Sequence, residues 1–143
     1  MFGNHCVKSW ATTQGIIAFS SGEAEYYGVV KAASIALGTR ALFRDMGIGV
    51  GVEIHTDATA AKGIASRRGL GRVRHIDVQF LWVQEKVANG DFSLHKVRGE
   101  FNPADLLTKH VNRSTLERMM KLFNLQCMSG RSEQCPVLAR DSR

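Results

Sequence analysis

Cysteine is scarce in this chain, and its placement argues against two classes of protein at once. The three residues Cys6, Cys127 and Cys135 are odd in number and form no CxxC or Cys/His cluster. Neither a disulfide framework nor a structural zinc site is expected from them. They fit a reducing compartment, with Cys6 read as a small hydrophobe in a strand. Long apolar runs are missing too: none approaches the ~20 residues that span a bilayer. The start, Met1-Phe2-Gly3-Asn4-His5, lacks the shape of a signal peptide. A soluble intracellular chain that does not enter a membrane is the expectation. There is no internal repeat, no GxSxG and no P-loop, so no nucleophile–base or nucleotide-cradle chemistry competes for attention.

What the chain does have is positive charge. Its 143 residues carry 19 Lys+Arg against 13 Asp+Glu, a formal net charge of +6. That length fits one domain, in which roughly 68–70% of the unfolded surface can be buried. A hydrophobic content of 44% with 22% charged residues is ordinary for a globular protein. A basic surface favours a polyanion, and nucleic acid more than a membrane, although a generic basic protein stays open on charge alone.

Residues 5–10 read as a short strand, and Ile16–Phe19 continues extended. Ser20-Ser21-Gly22-Glu23 has the Ser-x-x-Glu form of a capping box. The helix it opens is apolar nearly all round, through Val29, Val30, Ala32, Ala33, Ile35, Ala36 and Leu37, with a bend expected at Gly38 and an end at Gly47. Val50, Val52 and Ile54 alternate as a strand that stops at Asp57. Ala58–Ala65 reads as a short helix, followed by a glycine-broken basic segment from Arg67 to His75. Asp77 is placed to cap a helix over Val78–Ala88, with Val78, Leu81, Trp82 and Val83 inward. Phe92–Arg98 reads as a strand, Asn102-Pro103 as a helix start, and Ser114-x-x-Glu117 as the capping box of a last helix ending near Phe123. From Gln126 onward the pattern is that of a disordered tail. Strands followed by alternating helices and strands give an α/β fold with a mixed sheet.

Three acids then stand at the ends of three elements: Glu25, Asp57 and Asp105. Glu23 is assigned to the capping box. Glu25, spaced with Val29, Ala32 and Ala36, heads what reads as the core-facing stripe, where an unpaired charge costs several kcal/mol or shifts its pKa. Each acid has a plain alternative: Glu25 and Asp105 favour a helix dipole, and Asp57 caps the helix after it. Asp57 also ends a strand, where α/β sheets place their sites. Together, the three suit magnesium, which takes oxygen ligands and keeps several waters. Two such ions about 3.5–4 Å apart can activate water and stabilise the leaving oxygen of a phosphodiester. Arg67, Arg68, Arg72, Arg74 and His75 are candidates for phosphate contact, the alternative being a solvated loop. His55 and His95 fall in strands and read as structural residues, and Trp10 and Trp82 as core anchors.

Several motifs point to one family: Ser9-Trp10-Ala11-Thr12-Thr13-Gln14, Ser20-Ser21-Gly22-Glu23-Ala24-Glu25-Tyr26 and Thr56-Asp57-Ala58-Thr59-Ala60-Ala61, then Arg74-His75-Ile76-Asp77 and Asn102-Pro103-Ala104-Asp105-Leu106-Leu107-Thr108-Lys109. In unbroken order over about residues 3–112, they resemble the ribonuclease H domain that closes the polyprotein of copia-type LTR retrotransposons. The resemblance implies a ribonuclease H-like mixed sheet flanked by helices over residues 1–112; the C-terminal helix over 113–125 and the tail over 126–143, read from their own residues, lie outside it. It implies hydrolysis of the RNA strand of RNA–DNA hybrids by acids holding two magnesium ions, or manganese in their place, with Glu25, Asp57 and Asp105 as ligands. The reverse transcriptase portion of the same polyprotein is the implied partner. The family's first aspartate lies on a central first strand that would precede Met1 here. The chain thus reads as N-terminally truncated, either a polyprotein fragment or a decayed copy. The histidine that some members carry before the last aspartate is absent from Gly99-Glu100-Phe101. A non-catalytic nucleic-acid-binding remnant is the alternative reading.

Overall fold

The computed structural model describes residues 1–71 and 76–125. Its longest element, helix α1 (Ser21–Asp45), begins where the sequence signals it. Ser20 is extended, and its Oγ accepts from the Glu23 N–H at 3.2 Å. The Glu23 carboxylate reaches one residue further back than a standard capping box, accepting from the Phe19 N–H at 3.0 Å. It is also buried, at 1% exposure, and its Oε1 accepts from the Tyr27 hydroxyl at 2.7 Å.

The helix buries Glu23, Tyr26, Tyr27, Val29, Val30 and Ala33. Ala32, Ile35, Ala36 and Leu37 are only half-buried, and Leu42 is 61% exposed. The expected all-round burial therefore holds for the first half only. The helix continues through Gly38, where a bend is expected, as a single element. Gly47 supplies the left-handed residue (φ +79°) that ends it. Its N–H donates to the Arg44 carbonyl, and the Ile48 N–H to the Phe43 carbonyl, as in a Schellman motif.

Strand β1 (Glu53–Thr56) and, after helices α2 (Thr59–Ala65) and α3 (Trp82–Ala88), strand β2 (Ser93–Lys96) pair in parallel. The register sets Ile54 opposite Leu94 and His55 opposite His95. Ile54, Thr56 and Leu94 face a core built with Tyr26, Val30, Ala61, Ile64, Val83 and Phe92. The helices α1 and α2 cross where Gly22 meets Ala60; a Cβ on Gly22 would lie 2.7 Å from the Ala60 Cβ. Gln84, buried, stitches the end of α2 to the loop after it. Its amide nitrogen donates to the carbonyls of Ile64 and Gly69, and its oxygen accepts from the Gly69 N–H.

Several local expectations need correction. Residues 5–10 and 16–19 form no strand; among the described residues no strand lies alongside to satisfy their amides, and only a Phe2–His5 bridge forms. The described strands pair only in parallel. Asp77 caps no helix: a 3₁₀ turn over Val78–Phe80 intervenes, with Val78 75% exposed, and α3 starts at Trp82. Pro103–Leu107 is 3₁₀ rather than α, though Asn102 does accept from the Ala104 N–H. Trp82 packs on the core, but Trp10 is exposed.

Residues Ala11–Asp105 form one compact unit; Met1–Trp10 and the chain from Leu106 form another. This division differs from the expected boundary at residue 112. In the smaller unit, helix α4 (Arg113–Leu122) is capped by Asn112, which accepts from the Thr115 N–H at 2.9 Å, and not by Ser114. The expected tail over 126–143, with Cys127 and Cys135, lies outside the described residues. No described helix is long and apolar enough to cross a membrane.

The buried Tyr27–Glu23 bond gives a direct test. Tyr27→Phe leaves the carboxylate short of a donor and is expected to destabilise the protein by about 1–3 kcal/mol in denaturant unfolding. Alkali gives a second. Burial raises Tyr26 to about 12, and burial followed by the bond to Glu23 raises Tyr27 to about 12, from an ordinary 10.0. In the unfolded chain both phenols ionise near 10, so the stability gained by keeping them neutral is complete below that pH. It is expected to fall progressively as the pH climbs toward 12, and Tyr26→Phe should flatten that decline.

Candidate active site

The inward turn of Glu23 decides where Glu25 goes. Residues two apart on an α-helix point about 200° apart, so a buried Glu23 sends Glu25 outward. Glu25 is exposed, not at the head of a core-facing stripe as its spacing with Val29 suggested. It nevertheless meets Asp57. Both line a shallow depression of about 320 Å³ with Ser21, Gly22, Ala58, Thr59 and Ala60.

Asp57 arrives there from the sheet. It follows β1 directly, and Ala58, not Asp57, occupies the cap position of α2. The Thr56 hydroxyl takes the Ala58 N–H at 3.2 Å. Neither Glu25 nor Asp57 has a hydrogen-bond or ion-pair partner among the described residues. The alternative in which Asp57 is a structural cap therefore fails. The backbone also leaves room beside it: a Cβ on Gly99 would stand 3.6 Å from Asp57 Oδ2.

Asp105 lies half-buried in the 3₁₀ turn after Asn102 and does not line the depression. Among the described residues, no three His, Cys, Asp or Glu side chains form a metal-sized group. The structure thus brings together two of the three expected acids. A larger cleft, about 440 Å³, sits at the other end of α1 between Leu37, Arg40, Ala41, Arg44, Ile48 and Val50. It contains no carboxylate and has no bearing on metal chemistry.

One cation at the site escaped the sequence reading. Lys96 ends β2, and its Nζ donates to the Thr59 hydroxyl on the rim of the depression. The parallel pairing of Thr56 with Lys96 places it there, a relation no local motif encodes. The basic loop behaves unevenly. Arg67 is half-buried and folds back so that its Nη2 donates to the Leu70 carbonyl, whereas Arg68 is exposed. Arg72, Arg74 and His75 lie outside the described residues.

Over 120 residues, 82% of its length, the chain is 27% identical to the retrovirus-related Pol polyprotein from transposon TNT 1-94 of Nicotiana tabacum. It is similar to part of a transposon Pol polyprotein. The chain spans 9% of that polyprotein. No family model and no solved structure matches.

The Gly22–Ala60 contact makes the pairing of the two acids testable. Gly22→Ala is expected to cost about 1–3 kcal/mol by overpacking the crossing, read by thermal or denaturant unfolding. Ala60→Gly in the same chain should recover part of that loss.

Proposed function

We propose that this chain is a ribonuclease H-like part of a retrotransposon Pol polyprotein whose chemistry is metal-dependent hydrolysis of the RNA strand of RNA–DNA hybrids. The observation that carries this reading is the meeting of Glu25 and Asp57, far apart in sequence and free of protein partners among the described residues, in one open depression. The likeness to a transposon Pol polyprotein supports the context. The motifs around Glu25, Asp57 and Asp105 support the reaction, and the parallel strand pair with helices on its buried face is compatible with the fold.

Two solvent-open carboxylates fit a hard cation, because oxygen donors with room for waters are what magnesium accepts. Glu25 and Asp57 would hold it, with Asp105 as the further ligand the motif supplies. When bound, magnesium or manganese supplies an activated water and neutralises charge on the scissile phosphate. The chain's own residues do the rest. The capped start of α1 fixes the backbone under Glu25 and the end of β1 that under Asp57, so binding has only the two side chains to order. Lys96 and Thr59, at the rim, are placed to hold a phosphate oxygen. Arg68, and the net charge of +6, favour the polyanion generally.

A second reading, a hybrid-binding remnant without catalysis, is favoured by one observation: no three acids converge among the described residues. The deciding experiment follows cleavage of a labelled RNA–DNA hybrid with magnesium, using this chain and a version extended upstream through an aspartate-bearing strand. The extended chain is expected to cleave, and Asp57→Asn or Glu25→Gln to slow it roughly 10²–10³-fold. If the extended chain is inert but binds hybrid with a steep salt dependence, the remnant reading stands instead. Cleavage unchanged in Asp57→Asn rules out the assigned site.

A further inference from the structure

The parallel register of β1 and β2 creates a second cluster that the proposed nuclease chemistry does not use. His55 and His95 are direct neighbours across the two strands. Their ring centroids are 5.4 Å apart with an interplanar angle of 32°. Both are exposed, on the face opposite the buried Ile54, Thr56 and Leu94. They stand at the surface and not in the core, each with a polar neighbour on its own strand.

The two rings also point the same way. His55 Nε2 lies 3.5 Å from Glu53 Oε2, and His95 Nε2 lies 3.0 Å from Ser93 Oγ. Glu53 and Ser93 are themselves a register pair. Each imidazole therefore turns its Nε2 back along its own strand, toward one shared strip of surface bordered by a carboxylate and a hydroxyl.

From this we infer a binding site for a borderline divalent cation of the zinc, nickel or copper class, chelated by the two imidazoles of His55 and His95 alone. Imidazole nitrogen suits these metals and not magnesium, which demands oxygen. Two nitrogen ligands on a tetrahedral cation stand roughly 3.3 Å apart at Zn–N distances of 2.0–2.1 Å. Strands spaced about 4.7–4.9 Å bring facing imidazoles within a small side-chain rotation of that separation. Both rings are exposed, which leaves space for that rotation. Waters complete the coordination. Bound metal would tie β1 to β2 at the sheet end of the chain's larger unit. The inference does not depend on the nuclease reading, since it uses neither Glu25 nor Asp57.

The test is titration of the full chain, cysteines alkylated and magnesium in excess, with Zn2+ by calorimetry and with Ni2+ by NMR. Saturable one-to-one zinc binding is expected, weakened about tenfold or more by His55→Ala and likewise by His95→Ala. Ni2+ should broaden the ring protons of His55 and His95 before those of His5 and His110. The NMR arm uses the unaltered chain, so it holds even if a variant folds poorly. Equal zinc affinity in the His55→Ala/His95→Ala double variant, or broadening centred on other histidines, overturns the site.

Discussion

The burial of one carboxylate organises everything else at the N-terminal end of α1. Glu23 holds the chain entry through the Phe19 amide and the helix interior through the Tyr27 hydroxyl, while Ser20 caps from the other side. A buried charge is tolerated only when its oxygens are satisfied, and here they are. With Glu23 fixed inward, the rotational setting of the helix is fixed as well. Tyr26 then reaches the Phe80 carbonyl at 2.7 Å, and Tyr27 meets the Phe80 ring edge-on at 5.0 Å. Glu25 is left facing outward.

The second constraint is the close crossing of α1 and α2. Without a side chain at Gly22, the two helices approach until Ala60 fills the gap. This contact moves the start of α1 toward the start of α2, and the acid beside each start comes with it. The depression is therefore a consequence of helix packing, not of a loop that happens to fold over. Sites supported on elements in this way hold their geometry better than sites carried on loops.

Much of this was legible along the chain, where the signal was local. Ser20, Gly47 and the alternation around Ile54 announced the ends of α1 and the position of β1, because caps and periodicity act within a few residues. What failed was the choice of face. Glu23 sits in the first turn and Glu25 just after it, and buried Val29, four residues beyond Glu25, makes the Glu25 stripe look inward. Only the donors Phe19 N–H and Tyr27 OH distinguish them, and Tyr27 was not read as a partner. Asn112 displaced Ser114 as a cap for a similar reason: two good capping residues stood close together, and propensity alone does not rank them. The nearness of Lys96 to Thr59, and of His55 to His95, is set by parallel strand register across an intervening pair of helices. No single window of sequence contains it.

The least economical feature of the fold is the start of α2. Helix starts favour an oxygen-bearing cap, and forgoing one costs about 1 kcal/mol. Here the cap position is Ala58, with no side-chain bond to the first turn, although an aspartate stands immediately before it. Moving the helix start back by one residue would let Asp57 serve. Instead Thr56, still in the strand, accepts from the Ala58 amide and leaves Asp57 uncommitted. A sequence shaped for stability alone would use that carboxylate. It stands at a strand end, lines the same depression as Glu25, and has Gly99 close enough that a Cβ there would touch its Oδ2, so the helix forgoes the carboxylate nearest its start.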